Sequence, residues 1–160
     1  LPITCESYFK SLKTLAFALI IGQSIFLFTS MYINFSKNKQ GLDFDKIIFS
    51  ILIISLITVS YVLGRFLFDN QIKQVYENDK LYEKLQKYQT AIILQFALIE
   101  FGGLFSTVCY FLSNEMIFAF LSLVPILLSV VHFPSKSKLI NVLNLSSKEV
   151  DILEDGNYVL

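Results

Sequence analysis

Four apolar stretches, residues 14–35, 46–68, 91–112 and 115–133, are each close to the roughly 20 residues a helix needs to cross about 30 Å of hydrocarbon. Lipid offers no hydrogen-bond partners, so a crossing segment must satisfy its own backbone as a helix or join a closed barrel. Barrel strands alternate apolar and polar residues over about ten positions, and these runs are too long and too uniformly apolar for that. The sequence therefore predicts an all-α integral membrane four-helix bundle. Composition agrees: 54% of the 160 residues are hydrophobic and 16% are charged, whereas a soluble domain carries about 25% charge.

The connections between these runs set the expected topology. Ser113-Asn114-Glu115 leaves room only for a tight antiparallel hairpin between the third and fourth runs. The first two are joined by residues 36–45, with Gly41 as the expected turn residue. Residues 69–90 join the second and third. Four spans put this middle connection on the same side as both termini. That side collects Lys10, Lys13, Arg65, Lys73, Lys80, Lys84, Lys87, Lys136, Lys138 and Lys148, against Lys37, Lys39 and Lys46 on the other. The positive-inside rule then predicts cytoplasmic termini and a cytoplasmic middle connection.

Apolar residues at Phe68, Ile72, Val75, Tyr76, Tyr82 and Leu85 recur near helical spacing, and Glu83 stands four residues before Lys87 as an ion-pair partner. With no Gly or Pro to separate it from its neighbours, segment 69–90 is expected to extend helices two and three as a cytoplasmic hairpin turning near Asn78-Asp79. A segment lying on the membrane surface, or a solvated linker helix, is the competing reading. The expected organisation is thus a transmembrane domain over residues 1–134 and a cytoplasmic tail over 135–160. In the tail, Ser146 and Glu149 form a capping-box pattern, and Lys138, Leu139, Ile140, Val142, Leu143 and Leu145 present one apolar face to the interface or the hairpin.

Within this frame Glu100 is the conspicuous residue. A carboxylate near the bilayer centre costs about 2.5 to 3.5 kcal/mol on insertion scales, so it is expected to face protein, pair or act. Counting helix rise places Gln23 at a similar depth. Arg65 is roughly 7 to 8 Å closer to the cytoplasmic end, level with Gln95 and within reach of a long side chain. Gln23, Arg65, Gln95 and Glu100 are therefore expected to share one buried polar cluster, either a structural clasp or a proton or cation site. Small residues at Ser60, Gly64, Gly102, Gly103 and Ser106 allow close helix packing, and Pro125 is expected to kink the fourth helix.

Other chemistry is poorly represented. Two cysteines, Cys5 and Cys109, and the single His132 cannot supply a four-ligand metal site, so neither a metal nor another cofactor is expected. His132 reads as a boundary residue at the end of the fourth helix. No nucleophile elbow, phosphate loop or paired carboxylates are present, which argues against an enzyme. Lys plus Arg equals Asp plus Glu, which leaves no attraction to nucleic acid.

Gly22-Gln23 in the first helix, Gly64-Arg65 closing the second, Leu98-Ile99-Glu100 followed by Gly102-Gly103, then Pro134-Ser135-Lys136 and Leu145-Ser146-Ser147-Lys148-Glu149 make an ordered set. In that order it resembles a group of short four-helix bacterial membrane proteins. The resemblance covers nearly the whole chain, implies a bacterial inner membrane, and brings no activity with it. The first expectation for function is a non-catalytic structural or accessory subunit, whose partners are the lipid bilayer and other membrane subunits or further copies of itself. A small oligomeric channel or proton-coupled transporter using Glu100 is the alternative, and a membrane enzyme acting on lipid comes third.

Overall fold

The computed structural model describes residues 4–37, 45–76, 79–155 and 158. Among the described residues it is all-α, with six helices and no strand: α1 Cys5–Lys37, α2 Lys46–Lys73, α3 Leu81–Ser113, α4 Met116–Val131, α5 Lys136–Leu143 and α6 Ser147–Glu154. Three of them, α1, α2 and α3, are long and apolar enough to cross a membrane. The apolar α4 meets that criterion only together with α5, from which it is bent by 74°.

Local chemistry explains where the helices begin and end. Asp45 caps α2, its carboxylate accepting from the amides of Ile47 and Ile48 at 3.0 and 3.1 Å. Asn114 takes the left-handed conformation, φ 59°, that ends α3 and lets the chain reverse into α4. Asn144 does the same after α5 with φ 47°. The Ser146–Glu149 capping box opens α6. The expected Gly41 turn, Lys39 and Asn78 lie outside the described residues.

At 33 residues each, α1 and α3 are roughly 50 Å long, well beyond the hydrocarbon thickness. Both overrun at the same end. There Tyr8, Phe9 and Leu12 of α1 pack with Leu85, Tyr88 and Ala91 of α3, Phe68 of α2, Leu139 and Leu143 of α5, and Leu153 of α6. The tail is thus part of a second packed layer rather than a loose appendage. The Tyr8 hydroxyl donates to the Leu85 carbonyl at 2.7 Å, and the Cys5 amide to that of Tyr158 at 3.1 Å. At the opposite end a smaller cluster of Leu27, Ile53, Cys109, Tyr110, Phe118 and Ala119 closes the core, and Lys46 pairs with Glu115 at 2.8 Å.

The chain passes from α2 to α3 through a short turn, and the two helices run antiparallel. Lys87 is not paired with Glu83 as its spacing suggests. Its ammonium instead holds that turn, donating to Asp79 at 2.7 Å and to the Gln74 carbonyl at 2.6 Å. The Lys87 bond to Asp79, and the Tyr76 amide on the same carboxylate, keep the Asp79 carboxyl below its usual range.

Lys84 is 4% exposed, and its ammonium is neutralised by Glu149 at 2.8 Å. Burial alone would push the Glu149 carboxyl up. The Lys84 ammonium and the two Ser146 donors outweigh it and leave the carboxyl below its ordinary value. A carboxylate depressed in the folded state stabilises fully above its unfolded pKa, about 4.3, and the contribution disappears as pH falls through the lower folded value. Thermal unfolding in detergent micelles is therefore expected to show constant stability on this account from neutral pH to about 5, then an acid loss. Glu149→Gln should cost about 1 to 3 kcal/mol at neutral pH and flatten that acid limb. An unchanged acid limb in the variant would contradict the assignment.

Candidate functional site

Over residues 102–107 the buried positions of α3 are all small: Gly102, Gly103, Ser106 and Thr107. Gly102 faces α2, where an added Cβ would come within 3.2 Å of the Ile57 Cα. Gly103 faces α1 and α4 together: a Cβ there would overlap the Gln23 carboxamide and reach 3.0 Å from the Pro125 Cβ. Ser106, one turn on, is fully buried and donates to the Phe118 carbonyl of α4 at 2.7 Å. On α2, Ser60 is buried, and a Cβ on Gly64 would lie 3.4 Å from the Gln95 carbonyl. These small residues make α3 the helix on which α1, α2 and α4 all pack.

Gln23 is 1% exposed and fills the space left by Gly103. Its amide donates to the Ser122 carbonyl at 3.4 Å, a long bond that nonetheless crosses from α1 to α4. Pro125 is buried against this junction, and α4 stays helical through it. The sharp change of direction comes later, across residues 132–135 before α5, where Pro134 steers its predecessor away from helical geometry.

The four residues expected to share one cluster lie in three places. Gln23 sits at the α1–α4 junction. Gln95, 3% exposed, lies beside Gly64 and borders a cavity that Arg65 also lines. Glu100 is half-buried on the shoulder of α3, next to Phe101 and Leu104, which are 55% and 38% exposed. Arg65 is exposed, and among the described residues no ion pair joins it to Glu100. Depth along the axis matched, but direction around it did not: helix residues advance about 100° each, which turns Glu100 away from Gly102.

Two polar residues not anticipated at this level are His132, at the C-cap of α4, and Lys138 of α5, which line the same cavity as Arg65 and Gln95. Only the bend after α4 brings them there. Pro134 was the local signal for that bend. The Gln95 Nε2 donor is buried with no hydrogen-bond partner, an arrangement that costs about 1 to 3 kcal/mol wherever it stays unmet. No group of three or more acidic, His or Cys side chains among the described residues is placed to hold a metal ion.

No protein-family model, curated protein or solved structure matches this chain. The site's chemistry therefore has to be read from its own residues.

The glycine packing yields a matched comparison. Gly103→Ala forces the Gln23 carboxamide to move, and overpacking of this kind is expected to cost about 1 to 3 kcal/mol. Gly22→Ala meets nothing within 4 Å and should leave stability within about 0.5 kcal/mol or raise it slightly. Placing Gly103→Ala on a Gln23→Ala background should recover most of the loss. Unfolding of the wild type, the three single variants and the double variant in micelles measures this, and equal costs at Gly22 and Gly103 would refute the close approach.

Proposed function

We propose that this chain is a non-catalytic subunit of a membrane protein assembly, embedded as a four-span bundle in which α4 and the bend after it make the fourth crossing. Both termini and the α2–α3 turn face the cytoplasm of a bacterial inner membrane. The bias of Lys and Arg toward that end supports the orientation, and the motif resemblance supports the setting.

One observation carries the reading. The Glu100 carboxyl makes no ion pair or hydrogen bond with another described residue, and it borders the outward, apolar flank of α3 marked by Phe101 and Leu104. Facing acyl chains, an unpaired carboxyl at this depth costs about 2.5 to 3.5 kcal/mol. A partner helix that covers the flank and donates a hydrogen bond removes that cost. The partner is a different membrane subunit or a second copy of this chain.

The alternative, an oligomeric channel or proton-coupled transporter, uses the same carboxyl at a seam between copies. The filled Gln23–Gly103–Pro125 junction weighs against a conduit through a single copy.

Gentle detergent extraction followed by size-exclusion chromatography and mass spectrometry tests the proposal. The wild type should migrate as an assembly, and Glu100→Leu should release a monomer that melts at or above the wild-type temperature. A wild type that is monomeric and unaccompanied, or an assembly indifferent to Glu100→Leu, would refute it. Proteoliposome flux abolished by Glu100→Gln would favour the transporter instead.

A further inference from the structure

Beneath the bend that ends α4, residues of α2, α3, α4 and α5 line a half-open cavity of about 270 Å³. Its polar lining comes from four elements: Arg65 of α2, Tyr88 and Gln95 of α3, His132 at the α4 C-cap and Lys138 of α5. No carboxylate is among the lining residues. This site is independent of the Glu100 flank and rests only on the membrane setting of the three long helices.

Arg65, Gln95 and Lys138 each offer a donor. The Gln95 amide nitrogen is sealed from solvent and unpartnered, on a residue 3% exposed. The Arg65 guanidinium has neither an ion pair nor a hydrogen bond among the described residues, so its fork is available. Lys138 is anchored by the carbonyls of Val131 and Phe133 at 2.7 and 3.2 Å. That anchoring fixes its charge at the cavity and leaves one N–H over. His132 has its Nδ1 2.9 Å from the Leu128 carbonyl, which assigns the proton to that nitrogen and leaves Nε2 to accept from a ligand hydroxyl. Its ring is held edge-on to Tyr61 at 5.7 Å.

One anchored cation, one unpaired guanidinium, a buried unmet amide donor and no acid make a receptor for an oxyanion. Arg65 is the first charged residue after the uncharged stretch 47–64 of α2, toward the Lys- and Arg-rich end of the molecule, where a basic side chain is suited to reach lipid phosphates. The volume falls just under the roughly 300 to 1,000 Å³ of pockets that enclose whole drug-sized ligands, which suits a single phosphate and its immediate substituent. The geometry points to a phosphate-binding site, in which Arg65 and Lys138 supply charge and Gln95 donates from the inner wall. The phosphate is that of an anionic phospholipid headgroup or a free phosphate from the cytoplasm.

The test uses the full chain in a phosphate-free non-ionic detergent. One arm titrates inorganic phosphate against chloride at matched ionic strength. The other titrates phosphatidylglycerol into the micelles. Melting temperature gives the apparent affinity in both, and native mass spectrometry gives the number of lipids retained. Saturable binding of one ligand per chain is expected, weakened at least tenfold by Arg65→Gln and by Gln95→Leu, and unchanged by Lys10→Gln, an exposed lysine outside the cavity. Binding of phosphatidylglycerol alone identifies the headgroup as the source, and binding of inorganic phosphate alone identifies the soluble one. Should Arg65→Gln fail to fold, Gln95→Leu and Lys138→Gln carry the same expectation. Absence of binding in both arms, or binding that none of the cavity variants weakens, overturns the site.

Discussion

The close approach of three helices to α3 is the constraint on which the rest of the molecule depends. Two adjacent positions without side chains, Gly102 and Gly103, let α2 come in on one side and the α1–α4 pair on the other. Lipid tails are as apolar as leucine, so burying apolar surface does not by itself drive helices together in a bilayer. Packing at short range and hydrogen bonds across helices must do it. The bonds follow one pattern: Tyr8, Gln23, Asn34 and Ser106 each donate from one helix to a main-chain carbonyl of another. Carbonyls keep a second lone pair after the helix bond is made, so these clasps leave the backbone ladder intact.

The two ends of the molecule are built differently, and this bears on function. One end closes with a small cluster around Ile53 and Phe118. The other spreads into a layer of aromatic and aliphatic side chains that draws in α5 and α6, with Lys84 and Glu149 paired inside it. Helix overrun supplies the platform for that layer. It gives the molecule a structured surface at that end, next to the polar cavity lined by Arg65, Gln95, His132 and Lys138.

Much of the helical framework was legible in the sequence, because uniform apolar runs of bilayer length have few alternative structures. The caps at Ser146 and the tight turn at Asn114 were legible for local reasons. Harder to read was the bend of α4 into α5: the run 115–133 was expected to be one span kinked at Pro125, whereas α4 stays helical through Pro125 and the 74° bend falls between Val131 and Lys136. Lys87 was matched to Glu83 by helical spacing, yet the turn it closes offered Asp79 and a free carbonyl instead. Small-residue spacing was expected to let helices two and three approach closely, and Gly64 of α2 lies on Gln95 of α3 while Gly102 of α3 lies on Ile57 of α2. The grouping of Arg65 with Glu100 rested on depth alone. Direction around a helix depends on which neighbours it packs against, and that is a tertiary property.

The orientation of α3 about its own axis is the central claim, because it puts glycines inward and Glu100 at the outer shoulder. Spin labels placed singly at residues 95 to 108 of a cysteine-free chain, reconstituted alone in bilayers, report oxygen accessibility at each position. Accessibility should rise and fall with a 3.6-residue period, highest at 97, 101, 104 and 108 and lowest at 95, 99, 102 and 106. A flat profile, or maxima at the glycine positions, would contradict the account.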